Sequence, residues 1–359
     1  MFVLLGSIRA EDQIIRKTSA APLRVERVTA ETYEEVSYRQ RGVSSEKKLS
    51  ADKVREVIYG DQPAAYTQGI RFLEKMDFEN AIASLKLSME GSGVRDWVKT
   101  YARLHMGRAY QLWGASDKSK FQEAINTYND LLADDPKTRF YAEVLLNMAL
   151  AHSSNGDLSN AVATFERLGK EAYEKKLGVV WEARAKHEKA EAKLLAGQLD
   201  ESERDFKSSE TFCTEQAKKT DDVVLKAELD RLAGLDRLSQ GKVLIKRKRY
   251  KQAQDFFKGV LSNSSSTLEA MAGAQNGLAE CFLAEKKVKE AQNQFAIARV
   301  VYGAVSVEAA KATYYLGICC LELKEKEPKY KMMAQTYFQE VVTLFPATFW
   351  AKEAQKKLK

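Results

Sequence analysis

Histidine and proline are scarce in this chain of 359 residues, which holds three of the first and five of the second. The histidines, His105, His152 and His187, fall on separate predicted helices. None stands at metal-ligand spacing, such as HExxH, from a second His, a Cys or a carboxylate. The four cysteines, Cys213, Cys281, Cys319 and Cys320, lack the CxxC spacing of a zinc site or redox dithiol. Cys281 and Cys320 fall on predicted buried helix positions, where a free thiol acts as a small hydrophobe, so no disulfide framework is expected. No apolar run approaches the roughly 18 residues of a membrane-spanning helix. GxSxG, the phosphate-binding loop and GxGxxG after a strand are absent as well. A non-enzymatic chain is expected, with no cofactor, no metal and no small-molecule substrate.

The residues that are present favour helix. Proline is rare while Ala, Leu, Glu and Lys are abundant. A hydrophobic content of 45% with 30% charged residues is that of a folded soluble protein. The length calls for more than one domain or for a solenoid. The net charge of +7, from 57 basic and 50 acidic residues, reads as solvated helix faces more readily than as a nucleic-acid surface.

Residues 1–11 open with an apolar run, Met1 to Leu5, followed by Gly6-Ser7-Ile8-Arg9-Ala10 and the acids Glu11 and Asp12. This reads as the distal end of an export signal cleaved after Ala10, or as an ordinary chain terminus. Residues 12–60 read as a small β domain. Leu23 and Val25 alternate with charged residues, as do Val36 and Tyr38 with Ser37 and Arg39, the period of half-buried strands. Thr29 to Thr32 reads as a turn and Gly42 to Ser45 as a second break, before Val54, Val57, Ile58 and Tyr59. The segment resembles the small Sm-like or SH3-like β-barrels found ahead of helical repeats. Tyr33 and Tyr38 either pack that unit or, if the resemblance extends to RNA binding, stack bases.

Residues 61–359 carry a repeating signal. The small residues Ala81, Ala124, Ala161, Ser202, Ala253, Ala291 and Ala334 each precede by four an apolar or aromatic residue: Leu85, Tyr128, Phe165, Phe206, Phe257, Phe295 and Phe338. A second small residue lies twelve earlier at Gly69, Ala149, Ala190, Gly241 and Ala279, and seventeen earlier at Gly107 and Gly317. Met76-Asp77-Phe78, Asn155-Gly156-Asp157, Gly197 to Asp200 and Lys248-Arg249-Tyr250 interrupt the helical period between the two helices of a pair. This pattern resembles the tetratricopeptide repeat family: small residues where paired helices touch, a ring four later, and Pro136 and Pro346 closing two repeats. The resemblance implies a mainly α fold, an α-α superhelix of about seven helical hairpins behind the β domain. Marker spacings of 43, 37, 41, 51, 38 and 43 depart from a strict 34, most around residues 207–240. There Val224, Leu225, Leu229, Leu232 and Leu235 predict a long amphipathic helix. Phe349 to Leu358 reads as a capping helix with a polar outer face.

The family's ligand-contacting positions, carried over, imply a partner-binding groove formed by Tyr66, Tyr101, Leu104, Arg108, Gln111, Lys242, Lys246, Asn276, Glu280 and Tyr314. Arg247, Lys248, Arg249 and Lys251 extend Lys242 and Lys246 into a basic patch able to receive an acidic tail or a phosphate polymer, or simply a solvated turn. The stretch from Ala334 to Leu358 is similar to repeats of periplasmic envelope proteins. No cysteine follows the possible signal, so a lipid anchor is not supported. The expected function is a protein-protein scaffold that binds a peptide or helix, exported to a bacterial envelope. The alternative is a cytoplasmic nucleic-acid-associated factor.

Overall fold

The computed structural model describes residues 11–17, 19, 21–264, 266–323, 327 and 329–358, so the expected export segment before Glu11 lies outside the described residues. The chain divides into two compact units, one ending at Ala185 and the other beginning at Lys186.

The first unit opens with six strands: β1 (Asp12–Arg16), β2 (Leu23–Val25), β3 (Arg27–Glu31), β4 (Glu35–Arg39), β5 (Glu46–Ser50) and β6 (Val54–Ile58). They form two three-stranded antiparallel sheets in the orders β2-β1-β6 and β3-β4-β5. The turn expected at Thr29 to Thr32 is instead mostly strand β3, kinked by an irregularity between Val28 and Ala30. Only Val28 of β3 is buried, which leaves no alternation to read. The reversal comes afterwards, where the Thr32 hydroxyl accepts hydrogen bonds from the backbone N–H groups of Glu34 and Glu35. Strand β1 escapes a period-two reading because Ile14 and Ile15 are both buried.

Helices follow in pairs: α1 (Ala64–Glu74) with α2 (Phe78–Ser88), α3 (Asp96–Gly114) with α4 (Ser119–Asp134), and α5 (Tyr141–Asn155) with α6 (Leu158–Glu174). The β core does not close on itself. Ile14, Val28, Val36 and Val57 share one apolar cluster with Tyr59, Tyr66, Leu85 and Trp97, so the strands and the first hairpins fold around common side chains. Helix α7 (Val179–Leu195) contains the boundary between the two units.

The second unit continues with α8 (Leu199–Lys218), α9 (Val223–Lys246), α10 (Tyr250–Ser262), α11 (Leu268–Ala284), α12 (Val288–Val301), α13 (Ser306–Leu323), α14 (Lys329–Leu344) and α15 (Phe349–Leu358). Helix α9 is the long helix expected after residue 221. Its first turn stands in solvent, with Val224 80% exposed, and its buried face begins at Leu229. Helix α15 packs Ala351 and Ala354 inward and leaves Lys356 and Lys357 outside, as a terminal cap requires.

The repeat register is visible in the burial of its markers. All seven small markers, from Ala81 to Ala334, are 0% exposed, and the seven side chains four later are at most 1% exposed. Ser202 is accommodated in this series because its hydroxyl donates to the Ala190 carbonyl at 2.9 Å, across to the partner helix. At Gly241 an added Cβ would lie 2.3 Å from the Phe257 ring, so here the small residue is glycine by necessity. Asp77 and Asp157 cap the helices that follow them, accepting from the backbone N–H of Asn80 and Asn160. The preceding Met76 (φ 59°) and Gly156 (φ 90°) adopt the left-handed conformation that stops a helix.

Candidate partner-binding surfaces

The carried-over groove positions separate into two sets. Tyr66, Leu104, Asn276 and Tyr314 are interior. Tyr66 lies edge-on to Trp97 and His105, and Leu104 is 1% exposed. Asn276 donates from Nδ2 to the Glu308 backbone carbonyl (2.9 Å) and carboxylate (2.7 Å). Tyr314 packs on Phe338 and on Trp350 of the cap. A partner would reach these four side chains only by repacking the core, so they are core residues and not groove surface. Tyr101 is committed as well: its hydroxyl donates to Glu31 at 2.9 Å and accepts from Arg139 Nη2 at 3.3 Å.

The remaining positions are accessible, and they share a pattern. Arg108 of α3 pairs with Glu143 of α5, Lys242 of α9 pairs with Glu191 of α7 at 3.1 Å, and Glu280 of α11 pairs with Lys311 of α13. Each pair links the first helices of two consecutive hairpins. Gln111 accepts from the buried Tyr128 hydroxyl at 3.2 Å, and Lys246 is exposed. An exposed pair such as Arg108–Glu143 contributes only about 0.2–1 kcal/mol, whereas the Glu280 oxygen that meets Lys311 has no exposed surface and that pair is more deeply seated. A partner supplying its own charges can therefore replace the exposed pairs at small cost.

The basic patch is half neutralised. Arg247 pairs with Asp200 and Glu203, and Lys251 with Asp255 at 3.6 Å. Lys246, Lys248 and Arg249 have no ion-pair partner among the described residues. Tyr38 is buried in the β core, and Tyr33 packs edge-on against Tyr141, with the Lys175 ammonium over its ring.

Two buried features had no signal in the sequence. In the first unit, Glu31 accepts from Arg139 Nε (2.7 Å) and the hydroxyls of Tyr59 and Tyr101. Alongside, Asp12 receives Arg95 at 3.0 Å and the Val28 N–H at 2.8 Å. These bonds fasten the strands to α3 and to the turn before α5. Beside them a cleft of about 480 Å³ runs between β3 and α3, reaching Asp134 and Asp135 at the end of α4. In the second unit, His187 Nδ1 lies 2.8 Å from Oδ1 of Asp236, and Asp236 is wholly buried. Burial opposes charge on His187, but the hydrogen bond and charge of Asp236 prevail and raise its pKa.

Chemistry is sparse elsewhere. Burial, with Arg108 nearby, lowers His105 to about 4 and keeps it neutral. Burial pushes the thiols of Cys213, Cys281 and Cys319 up to about 12. Among the described residues no group of three or more His, Cys, Asp or Glu could hold a metal, and no helix is long and apolar enough to cross a membrane.

Residues 113–174 match the family model of the tetratricopeptide repeat. The helical array is a tetratricopeptide-repeat fold. A tetratricopeptide repeat protein from Parabacteroides merdae ATCC 43184 superposes with a TM-score of 0.51 at 17% identity, over 82% of this chain and 96% of that one. The repeats of a putative kinesin light chain from Podosopora anserina give 0.40 at 17% identity, over 58% of this chain and 97% of theirs. The apo quorum sensor NprR of B. thuringiensis gives 0.43 at 12% identity, over 78% and 86%. No curated protein matches the chain. The tetratricopeptide register accounts for the buried rings and, within each unit, for the ion pairs between consecutive first helices.

Proposed function

We propose that this chain is a non-enzymatic scaffold that holds an extended peptide or a helix of a partner protein along its first-helix faces, in a bacterial envelope. One observation carries the reading. Within each unit, first-helix positions hold ion pairs linking consecutive hairpins, namely the partly exposed Arg108–Glu143 and Glu191–Lys242 and the more deeply seated Glu280–Lys311. Such a surface offers both signs of charge and gives up its exposed pairs cheaply to a charged partner. The ion pairs at Lys242, Arg247 and Lys251 weigh against the nucleic-acid reading, since they cancel half of the basic patch.

The test is photocrosslinking in host cells with a photoreactive residue at Arg108, Gln111 or Lys242, and at Gly259 on the second helix α10 as control. Adducts to a polypeptide at the first three positions and none at the control support the reading. Equal labelling at Gly259, or no polypeptide adduct at the first-helix positions, overturns it. Sequencing the N-terminus of the recovered chain addresses location. A start at Glu11 with an envelope partner supports export, and a start at Met1 with cytosolic partners refutes it.

A further inference from the structure

The excess of positive charge is concentrated in one part of the second unit. Residues 242–289 hold ten basic and four acidic side chains, which accounts for six of the chain's net +7. Lys242, Arg247, Lys251 and Lys287 have carboxylate partners. Lys246, Lys248, Arg249, Lys286 and Lys289 are exposed and have no ion-pair partner among the described residues. These five lie in, or within two residues of, the turns α9–α10 and α11–α12, each between the two helices of a hairpin. The two hairpins meet beside those turns: Gln254 of α10 donates from Nε2 to Glu285, the residue that ends α11, at 2.8 Å. Lys248 (φ 58°) and Lys286 (φ 63°) are left-handed, each five residues before its small marker, Ala253 or Ala291. The same place holds Gly156 and Gly197 in two earlier hairpins and Met76 in the first. A residue with a Cβ is strained there and glycine is not. Two successive hairpins thus keep lysine where glycine fits better, and retained strain of this kind concentrates at functional positions.

We propose that this ridge of turns docks the chain on an anionic lipid bilayer, by charge alone. Exposed turns can present all five cations to a plane of headgroups together, and mobile headgroups gather under charges at any spacing. Four of the five are lysines, compact point charges suited to a diffuse anionic field. Recognition of a carboxylate or phosphodiester at a fixed position draws instead on the arginine fork. Tyr250 packs on the core cluster of Phe257, and no large apolar side chain of the two turns is exposed. Bases therefore find no ring to stack on, which separates this surface from a single-strand nucleic-acid site. No wedge enters the acyl region either, so the attachment is reversible and sensitive to salt.

The test mixes the whole chain with vesicles of phosphatidylcholine alone or with about 30% phosphatidylglycerol, at about 0.1 M salt, and measures binding by flotation. Binding is expected to the anionic vesicles only, and to be lost at about 0.5 M salt. One cation at such a surface changes the partition about fivefold, so Lys248→Gly and Lys286→Gly should each weaken binding about fivefold. Lys176→Gly is the control, because Lys176 is exposed with φ 54° in the turn after α6, outside the ridge. It removes the same charge and the same strain, and should change binding by less than about twofold. All three variants should unfold at a urea midpoint no lower than the parent's, which separates lost binding from lost folding. Lys289→Gln, on helix α12, repeats the charge test with no left-handed residue involved. Equal binding to neutral vesicles, binding that persists at high salt, or equal weakening by Lys176→Gly overturns the proposal. So does tighter binding to duplex DNA or polyglutamate with the same dependence on Lys248, which would assign the ridge to a nucleic acid or an acidic segment. The two readings fail separately: vesicle binding by the purified chain needs no partner protein, and crosslinks at Arg108 need no lipid.

Discussion

Phe257 tests the repeat packing most sharply, because two glycines hold it from opposite helices. A Cβ at Gly241 of α9 would sit 2.3 Å from Cε1 of the ring, and one at Gly277 of α11 would sit 2.5 Å from Cζ. Ordinary carbon contacts begin at about 3.5 Å, so Gly241→Ala must drive the ring or the helix away by roughly 1 Å. The ring has little room, being 0% exposed among Ala253, Val260, Ala274 and Leu278. Overpacking of this kind costs about 1–3 kcal/mol, and the depth of this clash places it at the upper end. Alanine returns about 1 kcal/mol of helix propensity, leaving a net loss of about 2 kcal/mol. Gly259→Ala on α10 is the control, since its Cβ meets nothing within 4 Å and only the propensity gain remains. One chemical change should thus destabilise at Gly241 and stabilise by about 0.5–1 kcal/mol at Gly259. Urea unfolding followed by far-ultraviolet circular dichroism measures both. In a Phe257→Leu background the Gly241→Ala penalty should largely vanish, because the ring it strikes is gone. If Gly241→Ala behaves like Gly259→Ala, the close-approach argument fails for every repeat.

The joint between strands and hairpins should respond to Glu31→Ala, which leaves the nearly buried Arg139 unpaired. A loss of about 3–5 kcal/mol is expected, with faster hydrogen exchange in β1 to β6, and a loss below about 1 kcal/mol would contradict the assignment. The His187–Asp236 pair predicts a pH dependence. The folded pKa of His187 is raised, so its stabilising effect is complete below the unfolded value of about 6.5 and falls away as pH rises through the folded value. The carboxyl of Asp236, raised by burial against the pull of His187, contributes a slope of the same sign. His187→Gln should flatten the curve above pH 6.5, and an unchanged slope would exclude the pair as its origin. All four cysteines are buried, so iodoacetamide at pH 8 should modify none in the native chain and all four in denaturant. A thiol that reacts rapidly in the native chain would contradict that packing.

How far the sequence could be read follows from what each position packs against. The small markers and their rings are legible because every hairpin meets another hairpin in the same way. The constraint that buries Phe165 is repeated at Phe206, Phe257 and Phe295, and repetition is what a single sequence can display. The groove positions fail as predictors where that condition breaks. Tyr66 belongs to the first hairpin, whose neighbour is the β unit, and it turns into the cluster with Trp97. Tyr314 belongs to the last hairpin and is covered by Trp350 of α15. Asn276 lies in the interior of the array, yet Glu308 of the next first helix claims its amide. Single contacts across long chain separations leave no periodic trace: Glu31 and Arg139 are 108 residues apart, and Asp12 and Arg95 are 83 apart. The same argument explains why β3 read as a turn. Asp12 and Arg95, both outside the strand, satisfy the backbone of Val28, so the strand needs no alternating apolar face to declare itself. A repeat pattern thus specifies the interfaces that recur, and the surfaces available to partners are those left after unrepeated neighbours have taken their share.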